Sequence, residues 1–213
     1  PARTLLAGFC TSCDWLGSNT DEFDYRAPDT ALSSYLRKRL AQIESSRMLE
    51  RYGLLAAAQS YAGLSALLGN AESPRGVQTL VDDLPASAGL TLIEAPTGSG
   101  KTEAALAYAW RLLEAGVADS IVFALPTQAT ANAMFERVKS FAAKVYGEAN
   151  VVLAHGKRDF NAGFQQLIER GQRRIRQGDE EASVQCAAWL ANSRKRVFLG
   201  QIGVCTVDQV LLS

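Results

Sequence analysis

The run Ala95-Pro96-Thr97-Gly98-Ser99-Gly100-Lys101-Thr102 constrains the chain more than any other stretch. Leu90 to Glu94 before it is a short apolar run that reads as a strand, and from Lys101 a helix is predicted with Ala105, Ala109 and Leu112 on one face. A glycine-rich turn between a strand and a helix is a phosphate-binding loop, because its amides can turn inward at a helix N-terminus. Ala95 stands in place of the usual first glycine. Glycines are needed where the backbone takes a positive φ and lies close to a ligand. The loop residues Thr97, Gly98, Ser99 and Gly100 surround the phosphates, and Lys101 supplies a point charge for the β- and γ-phosphates. The Thr102 hydroxyl is the natural ligand for Mg²⁺.

The rest of the chain fits a sheet around that loop. Ile121 to Leu125 reads as a buried strand, Gln128 to Tyr146 as a helix with Met134, Val138, Phe141 and Val145 on one face, and Val151 to Ala154 as a strand. Val197 to Leu199 and Ile202 to Cys205 read as one or two more strands, and Val207 starts a last helix. Strands alternating with helices of this length predict a parallel sheet with helices on both faces. Residues 1–69 differ, reading as helical throughout: Ala2 to Gly17, a stretch from Asp29 with Leu32, Leu36, Leu40 and Ile43 on one face, and Leu49 to Leu68. The expected division is therefore 1–69 and 70–213.

Charge narrows the function classes. Lys plus Arg and Asp plus Glu are both 22, so nothing in the whole-chain charge favours nucleic acid or a membrane surface. The apolar runs fall far short of the roughly 20 residues that span a bilayer. With no export signal at the start, the chain is expected to be cytoplasmic. Cys10 and Cys13 form a C-x-x-C with no second half, which reads as packing on a buried helix. Pro1 at the start and Val210-Leu211-Leu212 near the end lead us to expect a piece of a longer protein. One stretch is locally basic: 157–196 carries nine basic and five acidic residues. Its Arg170, Arg173, Arg174 and Arg176 are read as a solvated face, with contact to a nucleic-acid backbone as the sharper alternative.

Three flanking features separate the phosphate loop from those of small-molecule kinases. Gln78, in Pro74-Arg75-Gly76-Val77-Gln78, lies where a side chain can reach an adenine edge, with Arg75 beside it. Pro126-Thr127-Gln128-Ala129 and Thr206-Val207-Asp208-Gln209 put polar residues at the carboxyl ends of strands, where open α/β sheets bind ligands. In order, these stretches resemble the Q motif, motif I, motif Ia and motif Ib of superfamily 2 helicases. More narrowly, the loop with Glu103-Ala104-Ala105 and Gly203-Val204-Cys205-Thr206-Val207-Asp208-Gln209 looks like the CRISPR-associated helicase-nuclease of type I systems, and Asp14-Trp15-Leu16-Gly17-Ser18 fits the end of that family's HD nuclease domain.

The resemblance implies a P-loop RecA-like α/β sheet preceded by an α-helical remnant of an HD domain. It implies ATP and Mg²⁺ at Arg75, Gln78 and Thr97 to Thr102, and single-stranded DNA along Thr127, Gln128 and Thr206. Asp14 would be a ligand for a divalent transition metal, and a Cascade-like CRISPR surveillance complex the partner. His155, the sole histidine, is read as a turn residue and not a ligand. The only acidic triplet after the loop is Asp179-Glu180-Glu181, which is no acidic box on a strand. The chain alone is therefore expected neither to cut DNA nor to hydrolyse ATP. A repair or RNA helicase of the same superfamily, or a non-enzymatic docking piece, are the alternative readings.

Overall fold

The computed structural model describes residues 2–23, 30–68, 73–177 and 183–212. The chain forms two compact units, Pro1–Arg51 and Tyr52–Ser213. The boundary thus falls ahead of the expected one at 69/70, and residues 52–68 go with the second unit.

The first unit is helical: α1 (Ala2–Gly17), α2 (Leu32–Ser46) and the single turn α3 (Met48–Arg51). The expected face of α2 exists but is exposed, with Leu32, Leu36, Leu40 and Ile43 all at least half open to solvent. Its N-cap is Ala31, and Asp29, from which the helical stretch was expected to run, lies outside the described residues. Arg39 lies over the rings of Phe23 and Tyr35, each at 5.1 Å, and Arg51 pairs with Glu22.

The second unit is built on a parallel sheet of β1 (Ile121–Leu125), β2 (Ala149–Ala154), β3 (Val184–Gln185) and β4 (Ile202–Thr206), in the order β1-β4-β2-β3. β4 enters last and lies between its predecessors, which explains its complete burial. The α7 helix (Gln128–Tyr146) joins β1 to β2, and α8 (Ala162–Gln177) joins β2 to β3. Right-handed crossovers put both on one face, where Phe135 and Phe164 meet edge-on at 5.8 Å. The return from β3, through α9 (Ala188–Ala191) and a 3-10 segment Arg194–Leu199, crosses the other face. Val197 to Leu199 is therefore a turn of helix and not a strand. Val197 packs so close to Gly203 that a Cβ there would meet its carbonyl oxygen at 2.8 Å.

β1 lies at the margin of the sheet and alternates half-buried with exposed residues, so it is less buried than its apolar sequence suggested. Leu90 to Glu94 is a larger correction. It forms no strand, and Leu90 and Leu92 are 99% and 85% exposed. A strand needs neighbours for its amides and carbonyls, and among the described residues none pairs with it. Only Ile93 turns inward, onto a cluster of Leu64, Val81, Ala104 and Ala107.

Leu49 to Leu68 is likewise not one helix. Helix is confined to α3 and α4 (Leu64–Leu68), and the segment between them is a strap. Its polar groups find partners elsewhere: Gln59 N donates to Val145 O at 2.7 Å, and Trp110 Nε1 donates to Gln59 O at 2.8 Å. At the start of the strap, buried Asn150 donates from Nδ2 to the carbonyls of Tyr52 (2.8 Å) and Gly53 (3.1 Å), and its Oδ1 accepts from Ala187 N (2.8 Å). Gln201 completes the cluster, donating from Nε2 to Gly53 O at 3.0 Å and accepting from Asn150 N at 2.8 Å. Gly53 has φ +65°, and a Cβ there would lie 2.8 Å from Glu148 Oε1.

Candidate nucleotide site and strand-end track

The phosphate loop leads into α6 (Lys101–Glu114), and Gly100 caps it with φ +87°. The buried stripe of α6 is Ala104, Leu106, Ala107, Trp110 and Leu113, so the face is turned by about one residue from the expected Ala105, Ala109 and Leu112. Alanines on both sides left the choice to Trp110, which is too large to stay outside.

Gln78 stands against this loop from α5 (Gly76–Thr79) and is 3% exposed. Its Oε1 accepts from Arg75 N at 2.8 Å, and its Nε2 donates to Gly100 O at 3.4 Å. A Cβ on Gly100 would fall 2.1 Å from Gln78 Nε2, so any side chain there would push the Gln78 amide off the loop, and the φ of +87° itself favours glycine. The Arg75 guanidinium donates to Gly98 O. Gln78 and Arg75 therefore hold the loop itself. The Gln78 amide keeps one lone pair and one N–H beyond these bonds, which is the pair an adenine edge requires.

Lys101 folds back over the loop, donating from Nζ to Ala95 O at 2.5 Å and Pro96 O at 2.8 Å. The Ser99 hydroxyl is buried without a hydrogen-bond partner. Together Thr97, Gly98, Gly100, Lys101 and Thr102 line a cavity of about 510 Å³ with Arg75 and Gln78. Its far wall carries two residues that motif reading passed over, Glu103 of α6 and Arg137 of α7, which form an ion pair. The cavity is open and rich in donors, and Lys101 and Thr102 in its wall fit a triphosphate with a hard cation.

The parallel register brings three strand ends level, with Leu125 beside Thr206 and Ala154 beside Cys205. Thr127 follows β1 and caps α7, its hydroxyl accepting from Thr130 N at 3.2 Å. Gln128, the first residue of α7, lies exposed beside Gly156. Thr206 ends β4 and leads into α10 (Val207–Leu211). Hydrogen bonds from Thr206 and then Gln209 hold the Asp208 carboxyl below its ordinary value. His155 opens the turn after β2, its carbonyl accepting from Arg158 N at 3.3 Å, and it is buried at 1% exposure: its Nδ1 accepts from Lys157 N at 3.2 Å, and its Nε2 lies 3.0 Å from Asn132 Oδ1. Burial, then Arg158 and Arg194, lower its pKa. Neutral His155 thus donates to Asn132, which also accepts from Asn161 Nδ2 at 2.8 Å, tying β2 to the starts of α7 and α8.

The α8 arginines lie at the other end of the sheet. Arg174 pairs with Glu148, immediately before β2, at the amino ends of the strands. Arg170, Arg173 and Arg176 are exposed nearby on the same helix. That geometry favours the solvated face.

Asp14 sits exposed on α1, and among the described residues no group of three or more His, Cys, Asp or Glu could hold a metal ion. Cys10 and Cys13 are exposed on α1, against the expectation of packing. Asp179-Glu180-Glu181 lies outside the described residues.

A parallel sheet, a glycine loop capping α6 and a glutamine clamped on that loop define a RecA-like helicase domain. The DEAD/DEAH box helicase family matches residues 78–178. Over 99% of its length the chain is 54% identical to the CRISPR-associated endonuclease/helicase Cas3 of Escherichia coli, and over 97% it is 37% identical to that of Thermus thermophilus. The crystal structure of T. fusca Cas3-AMPPNP superposes with a TM-score of 0.70 at 26% identity, covering 93% of this chain and 22% of that one. The chain belongs to the CRISPR-associated Cas3 helicase-nuclease family. It spans about a quarter of the length of these curated relatives, 24% and 22%. Among the described residues no helix is long and apolar enough to cross a membrane.

Proposed function

We propose that this chain binds ATP with Mg²⁺ and forms the nucleotide-binding part of a single-stranded DNA translocase coupled to metal-dependent DNA degradation in CRISPR interference. The single observation that carries the reading is the cavity in which Gln78, Gly100 and Lys101 converge on one loop. On binding, Lys101 exchanges the carbonyls of Ala95 and Pro96 for phosphate oxygens, and the amides of Gly98 to Thr102 close round them. Thr102 is the residue that would hold Mg²⁺, which when bound neutralises charge on the β- and γ-phosphates. Gln78 reads the adenine edge with its remaining lone pair and N–H. Thr127, Gln128 and Thr206 meet the DNA backbone at the level strand ends, so recognition is independent of sequence. Asp14 enters this proposal only as one ligand of a nuclease centre whose other members lie elsewhere, and a Cascade-like surveillance complex as the recruiting partner.

Two measurements test it. Gln78→Ala should weaken ATP binding at least about fivefold more than GTP binding, because a bidentate base contact contributes roughly 1–3 kcal/mol. Equal losses for both nucleotides would leave Gln78 as a loop clamp alone. For the DNA track, Thr127→Val with Thr206→Val should weaken single-stranded DNA binding, while Thr127→Ser, which keeps the helix cap, should bind normally. Replacing Arg170, Arg173 and Arg176 by Gln should leave the salt dependence unchanged. A slope flatter by about 0.7 per residue would instead route the DNA over α8.

A further inference from the structure

The α6 and α7 helices start at the two halves of the proposed machinery. α6 begins at Lys101-Thr102 beside the nucleotide, and α7 begins at Gln128, just after Thr127 at the strand ends. Each packs mainly on other partners, α6 on α4 and α5 and α7 on the sheet. Between them a cleft of about 270 Å³ opens, walled by Leu106, Ser140, Phe141 and Lys144. It is bridged at two places. Away from the site the rings of Trp110 and Phe141 meet edge-on at 6.5 Å. Beside the nucleotide cavity Arg137 donates from Nη2 to Glu103 Oε1. Glu103 and Trp110 are seven residues apart and Arg137 and Phe141 four, so each pair shares one face of its helix.

The ion pair is poorly placed to stabilise the fold. The two side chains are 46% and 29% exposed, and pairs that open to water add little. It is well placed to sense charge. Glu103 is the residue after Thr102, and both partners line the cavity. A triphosphate attracts Arg137 and repels Glu103, while a divalent cation does the reverse. The charge in the cavity thus biases the one polar bridge between α6 and α7 among the described residues.

We propose that the Glu103–Arg137 pair couples nucleotide binding to the strand-end track, with Arg137 acting as a positioning residue that transmits the state of the cavity to α7. This rests on the ATP and DNA reading given above. Coupling means that ATP changes DNA affinity by a factor that is lost when the bridge is cut, and linkage requires DNA to change ATP affinity by the same factor.

The test is a double-mutant cycle in the full-length protein. Single-stranded DNA affinity is measured with and without ATP for wild type, Arg137→Met, Glu103→Gln, the double variant and Arg137→Lys, and the ratio is normalised to each variant's own ATP-free affinity. We expect each single variant to lose about fivefold of the coupling, the double variant to lose no more than either single, and Arg137→Lys to keep most of it. Additive losses, or an unchanged ratio in Arg137→Met, would overturn the bridge while leaving the ATP and DNA reading intact. A wild-type protein whose DNA affinity ignores ATP would overturn both.

Discussion

Lys101→Ala in the full-length protein should lower DNA-stimulated ATP hydrolysis by about 10²-fold or more, measured as phosphate release at saturating ATP. In the cavity wall the cations besides Lys101 are Arg75, whose guanidinium is held by Gly98 O, and Arg137, paired with Glu103. Lys101 is bound only to the carbonyls of Ala95 and Pro96, which a phosphate oxygen displaces readily because it carries full charge. Removing a group that stabilises developing charge costs about 3 kcal/mol, or roughly two orders of magnitude in rate. The fold should survive, since these two bonds tie the side chain only to its own loop. Unchanged turnover in a folded variant would mean that the loop does not hold the triphosphate.

Asn150→Ala should cost about 3 kcal/mol of stability and lower the melting temperature of the chain by about 6–12 °C. Asn150 is fully buried and joins Tyr52, Gly53 and Ala187 through one amide. The substitution strands Ala187 N and Tyr52 O without water to replace the lost partner, while Gly53 O keeps Gln201. Asn150→Asp should be no milder. It keeps an acceptor for Ala187 N but turns a carboxylate towards two carbonyl oxygens in a buried site. A change under about 2 °C in either variant would mean that the strap is held by the Tyr52–Trp189 stacking and the Gln59 and Gln201 bonds without Asn150.

What the sequence disclosed was local. The limits of α7 were legible because Thr127 caps it and Met134, Val138, Phe141 and Val145 keep a helical spacing. Gln78, Gly100 and Lys101 were legible because their chemistry lies within short motifs, although the clamp of Gln78 on Gly100 was not. The misreadings share one cause, which is dependence on a distant partner. Leu90 to Glu94 has the composition of a strand but no neighbour among the described residues, and strandness is a property of a pair. The 52–63 strap has helical composition, yet Asn150 and Trp110 offer its backbone groups better bonds than a helix would. Gly53 and Gly63, both at positive φ, were the available sign. Glu103 and Arg137 are 34 residues apart, and nothing in either neighbourhood announces the other. The turn at His155 was legible from the glycine after it, whereas its burial and its bond to Asn132 on another element were not.

The marginal position of β1 carries a consequence for how the protein behaves in solution. Among the described residues β1 is bonded to β4 along one side only, and Val122 is already 36% open to water. The opposite row of amides and carbonyls is a template for any extended backbone, and no proline, lysine or bulge blunts it between Ile121 and Leu125. An unsatisfied template of this kind recruits. Left bare at high concentration it draws in copies of the same apolar run, and solubility then falls with protein concentration more steeply than a net charge near zero alone would cause. Whatever extended segment lies along that row in the cell acts, in effect, as the protein's own guard against fibrous association.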